Sequence, residues 1–94
     1  MIQLADRLAA KCQEQVWRLV QEHAVTMGPA EARGYVRARA GLIVKNTVEV
    51  ELAIAGRSDD SDHLRDLTTE RVVRLISAQL RAIRPTARGL RRAA

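Results

Sequence analysis

Apolar residues return every third or fourth position through three long stretches of this chain, and so regular a return at helical spacing points to helices throughout. The first stretch, about Ile2 to Met27, sets Ala5, Ala9, Cys12, Val16, Leu19 and His23 at alternating four- and three-residue steps, the spacing of a packing seam. A second line, Ala10, Trp17, Val20, Ala24 and Met27, flanks it, so the apolar arc is broad enough for more than one neighbouring helix. Gln3, Arg7, Lys11, Glu14, Arg18, Gln21 and Glu22 mix charge on the other side, as a solvated face does.

Gly28-Pro29 punctuates the chain, because glycine is favoured just past a helix end and proline at the first position of the next helix. From Pro29 to Ala55, Val36, Ala40, Ile43, Thr47, Val50 and Ile54 repeat the four-three spacing and predict a second helix running back along the first. Residues 48–54, VEVELAI, also alternate as a half-buried strand would. Helix is the preferred reading over 42–54, since an isolated strand finds no partner of similar pattern except Leu42 to Val44.

After the polar turn GRSDDS, a third helix is expected from Asp62 to Arg84, capped by Ser61 or Asp62. Its apolar stripe is Leu64, Leu67, Val72, Ile76, Leu80 and Ile83, with Arg74, Arg81 and Arg84 on the other side. Pro85 should end or kink it. The expectation is an all-α fold, a three-helix bundle of long antiparallel helices, with residues 1–84 as the bundle domain and 85–94 as a basic flexible tail.

The core must be assembled from Leu, Ile, Val, Ala and Met, for Trp17 and Tyr35 are the only aromatic residues. A domain of 94 residues hides only roughly 65% of its unfolded surface, which makes completion by oligomerisation reasonable. A homodimer is favoured, with Val16, Trp17, Leu19 and Val20 at its interface. A single cysteine forms no internal disulfide, and no stretch resembles a signal peptide or approaches the roughly 20 apolar residues of a membrane span. The expected location is the cytoplasm, with no membrane association.

Charge is distributed unevenly. Residues 1–60 carry eight basic and eight acidic side chains, whereas 61–94 carry eight basic and three acidic, so the net charge of +5 belongs to the C-terminal third. A one-signed end attracts polyanions. Arg74, Arg81, Arg84, Arg88, Arg91 and Arg92 are the candidate polyanion-binding residues, for nucleic acid or an acidic protein partner. Against this stands the plainer reading that Arg74 pairs with Glu70 one turn earlier and the rest are solvated. Fourteen arginines to two lysines suits phosphate recognition, but arginines also occur at 33, 37, 39 and 57, outside the basic end.

No catalytic, cofactor or metal site is expected. Cys12 and His23 lie about three helical turns apart, with no CxxC or HxxxH pair to support them. Ser58 to Asp62 lacks the glycine and the bidentate glutamate of a calcium loop. Glu49 and Glu51, two apart, do not share a helix face. The leading expectation is therefore a non-catalytic interaction or scaffolding module acting as a homo-oligomer. A nucleic-acid-associated accessory protein using the arginine-rich end is the alternative, and a small helical enzyme that holds an anionic substrate comes third.

Overall fold

The computed structural model describes residues 2–56 and 61–93, with side chains described up to residue 83. Three helices, α1 (Ile2–Ala24), α2 (Pro29–Ala55) and α3 (Ser61–Ala93), each pack against the other two, and no strand occurs among the described residues. Residues 48–54 are helical, in the C-terminal half of α2. Asp6 meets Arg71 and Gln13 meets Gln79, so α1 and α3 run the same way. Between them α2 runs antiparallel to both: its start, Pro29 to Arg33, lies beside Leu80 and Arg81 of α3, whereas Arg37, further along α2, reaches back to Glu70.

The helix ends follow their local chemistry. Residues 25–27 close α1 with backbone bonds to Gln21, His23 and Ala24, while the Thr26 hydroxyl donates to the His23 carbonyl at 2.8 Å. Gly28 is extended and Pro29 opens α2, where the missing proline N–H costs nothing. Gly56 takes the left-handed conformation, φ 70°, and its N–H closes on the Leu52 and Ala53 carbonyls; only glycine takes that φ without strain. Most of the GRSDDS turn, residues 57–60, lies outside the described residues. Ser61 is the first residue of α3 and Asp62 sits in its first turn. The helix continues through Pro85 to Ala93, where an end or kink is expected. Proline's fixed φ is itself helical, so the ring costs a hydrogen bond without forbidding continuation.

The buried stripes carry the main correction to the sequence reading. Leu8, Cys12, Val16, Val20 and Ala24 of α1, Ala32, Val36, Ala40, Val44, Val48 and Leu52 of α2, and Leu64, Thr68, Val72, Ile76 and Leu80 of α3 are all buried, each stripe advancing four residues at a time. Four residues outrun the 3.6-residue turn by about 40°, so such a stripe winds across its helix instead of running along it. Val36 and Ile54 lie about five turns apart and point the same way, yet Val36 is buried and Ile54 is 78% exposed. For the same reason Leu19, Val50 and Ile83, each expected on an apolar stripe, are exposed, and Ile43, Thr47 and Leu67 are half-buried. Alanine and valine dominate the stripes of α1 and α2, and these small side chains permit axes near the lower end of the usual packing range, about 8 Å.

Among the described residues one ion pair ties each pair of helices: Lys11 to Glu51, Asp6 to Arg71, and Arg37 to Glu70. The Arg71 guanidinium lies against Asp6 without the alignment of a hydrogen bond. Among the described residues no helix is long and apolar enough to cross a membrane.

Candidate functional site: an arginine-lined cleft between α2 and α3

Because α2 begins at Pro29, Arg33 and Arg37 occupy its first turns, one turn apart on the side facing α3. Antiparallel packing sets them beside the middle of α3, where Glu70, Arg74, Ser77 and Arg81 follow one another at three- and four-residue steps. Together with buried Val73 these residues line an open cleft of about 190 Å³. It adjoins a smaller hollow of about 70 Å³ that shares Arg33, Ser77 and Arg81 and is floored by Pro29, Ala32 and Leu80.

Among the described residues Glu70 is the only carboxylate in the cleft lining, and Arg37 holds it. Nε and Nη2 of Arg37 donate to the two carboxylate oxygens at 3.0 Å each, a bidentate pair between side chains that are about half exposed. The hydrogen bonds from Arg37 keep the Glu70 carboxyl below its ordinary value, and Glu70 in return raises the Arg37 guanidinium above its own. The expected one-turn partnership of Arg74 with Glu70 is thus replaced by a pair across helices, with Arg74 adding only a weaker charge interaction. Arg33, Arg74 and Arg81 are exposed at the rim and make no ion pair with a described residue. Ser77 is half-buried between them.

Of the six candidate polyanion-binding arginines, the structure brings Arg74 and Arg81 together in this cleft. The side chains of Arg84, Arg88, Arg91 and Arg92 lie outside the described ones. Arg33 and Arg37 were missed, because their position next to Arg74 and Arg81 depends on the register of α2 against α3, which no local pattern displays.

The residues expected at an oligomer interface are divided. Val16 and Val20 are wholly buried in the chain's own core, on the every-fourth stripe of α1. Trp17 is half-buried against that core, and Leu19 is 46% exposed. A larger apolar exposure lies on α2, where Leu42 is 67% and Val50 57% exposed. Leu42, Asn46, Val50 and Ile54 form one ridge at four-residue steps, all exposed.

Elsewhere, Cys12 is buried in the α1 stripe. His23 is exposed, edge-on to the Tyr35 ring at 6.2 Å, and Arg39 lies over that ring at 5.4 Å. Among the described residues no three of His, Cys, Asp and Glu gather as metal ligands would. A cavity of about 300 Å³ between α1 and α3 is lined by Ala9, Ala10, Gln13 and Leu75; of its charged groups Asp6 and Arg71 face each other, while Arg74 is shared with the cleft. In comparisons with known proteins the chain matches no family model, no curated protein and no solved structure.

Proposed function

We propose that the protein is a non-catalytic helical interaction module that works in the cytoplasm as a homodimer, pairing through the outer face of α2. The observation that carries this reading is the ridge of Leu42, Val50 and Ile54, exposed although the chain's own core is filled without them. Large side chains left in water on one helix face are the signature of a surface that a partner covers.

A second copy is the occupant the charges favour. Arg39 lies toward the start of α2 and Glu49 toward its end, both exposed and neither in an ion pair with a described residue. Two antiparallel α2 helices therefore bring Arg39 of each copy toward Glu49 of the other. A twofold axis at Asn46 places Leu42 on the other copy's Val50 and Ile54 on the other copy's Ala38, a large side chain against a small one. It also leaves Arg39 about one turn from the other copy's Glu49, within side-chain reach. Asn46 then meets its own equivalent, and a polar pair at the centre of an apolar seam fixes register and orientation.

Sedimentation equilibrium tests this. The expected result is a dimer for the native chain and a monomer of unchanged helicity for Val50→Glu, since that position is exposed in the single chain. A native chain that is monomeric at about 100 μM, where an affinity of about −5.5 kcal/mol would already show, rejects the reading. So does a Val50→Glu protein that still dimerises.

A further inference from the structure

We propose that the cleft between α2 and α3, edged by Arg33, Arg37, Arg74 and Arg81 around Ser77, binds the phosphates of a nucleic-acid backbone. Four guanidinium groups from two helices surround one carboxylate, which leaves a concentrated positive field in a small volume. Elsewhere, Lys11, Arg18, Arg65 and Arg71 each face a carboxylate, Arg39 lies over Tyr35, Arg7 adds to the positive charge around Glu51, and Lys45 makes no ion pair with a described residue but stands away from the cleft. Arg33, Arg74 and Arg81 instead converge without a carboxylate of their own among the described residues. Like charges gathered in this way repel one another, and a bound anion relieves that repulsion.

The chemistry of the lining selects the anion. Guanidinium forks match phosphate oxygens in pairs, and the Ser77 hydroxyl supplies one more donor at the floor. No aromatic ring lines the cleft, so no base stacks there and recognition runs through phosphates alone. At about 190 Å³ and open along one side, the cleft is smaller than the roughly 300–1,000 Å³ that enclose a whole small ligand. It suits a phosphate presented by a strand that continues beyond it. Glu70 is the built-in competitor, occupying Arg37 until a phosphate displaces it.

The test is fluorescence anisotropy of a labelled short duplex DNA against the full chain across a salt series, so that residues 84–94 are present in every protein compared. Arg33→Gln and Arg81→Gln are each expected to weaken binding several-fold and to lower the slope of log K against log salt by about 1. Arg18→Gln on α1 makes the same change in net charge outside the cleft and leaves that slope unaltered. Glu70→Gln frees Arg37 and raises affinity about threefold or more, while Glu22→Gln on α1, again matched in charge but outside both the cleft and the α2 ridge, does not. Circular dichroism at 222 nm establishes that each variant keeps its helices.

No duplex binding at about 50 mM salt overturns the proposal. Equal losses in Arg33→Gln and Arg18→Gln also overturn it, because they reveal a diffuse field with no site. Inorganic tripolyphosphate is the remaining arm. Stabilisation of the fold by tripolyphosphate in a protein that ignores duplex assigns the cleft to free oligophosphate and refutes the nucleic-acid backbone as its ligand.

Discussion

Thr68 stands on the buried stripe of α3 between Leu64 and Val72, wholly inaccessible, and its hydroxyl has no hydrogen-bond partner among the described residues. Replacing it with valine keeps the branched shape and creates no cavity, so the substitution isolates the hydroxyl. Burying an unpaired hydroxyl costs about 1–3 kcal/mol in proteins. Thr68→Val is therefore expected to stabilise the fold by about 1.5 kcal/mol, which for a domain of this size raises Tm by roughly 6–12 °C. Urea unfolding followed at 222 nm should show the midpoint rising by roughly 0.5–1.5 M with an unchanged slope. Protein concentration must be held constant, since association would add to apparent stability. Thr68→Ser keeps the hydroxyl, removes a buried methyl and is expected to destabilise by about 1 kcal/mol, which separates packing from polarity. A Thr68→Val protein less stable than the native chain refutes the reasoning. The hydroxyl would then be bonded, most simply to the Leu64 carbonyl one turn earlier, and its loss would outweigh the desolvation relieved.

Gly34 and Gly41 lie within α2, and a Cβ added at either meets nothing within 4 Å. Gly34→Ala and Gly41→Ala should each stabilise by about 0.5–1 kcal/mol in urea unfolding without altering the sedimentation mass; a mass change would move the dimer contact to the glycine face. Glu70 and Glu51 are held below the ordinary value of 4.5 by Arg37 and Lys11, so their contribution is full above that value and is lost as pH falls through the lowered folded values. Unfolding free energy measured from pH 7 to pH 3 should therefore fall most steeply below about pH 4.5, and Glu70→Gln should flatten that fall; an unchanged profile excludes the pair from the acid response. Cys12 is buried in α1, so Ellman's reagent should react with it only as fast as the bundle opens, and labelling at the rate of a free thiol would contradict its position.

The number and type of the helices and the breaks between them were legible in the sequence because each rests on local chemistry, whereas the end expected at Pro85 gave way to a helix that runs on to Ala93. Glycine and proline at 28 and 29 terminate and start helices whatever surrounds them, Gly56 supplies a left-handed φ that other residues resist, and VEVELAI had no strand to pair with. That the core would be aliphatic also followed from composition, with Trp17 and Tyr35 ending half-buried at its edge. The choice of which apolar residues enter the core did not follow. In α2, Val48 and Val50, or Leu52 and Ile54, fit a helical face equally well, and the four-three and every-fourth spacings diverge only over several turns. Contact with α1 and α3 decided for Val48 and Leu52 and left Val50 and Ile54 in water. The cleft was hidden for a related reason. The basic C-terminal third was visible as a run of charge, but Arg33 and Arg37 appeared to be scattered until α2 folded back along α3 and set them opposite Arg74 and Arg81. Local propensity and composition are properties of neighbours in the chain, whereas the buried stripe and the cleft are properties of neighbours in space, fixed only when three helices settle on one register.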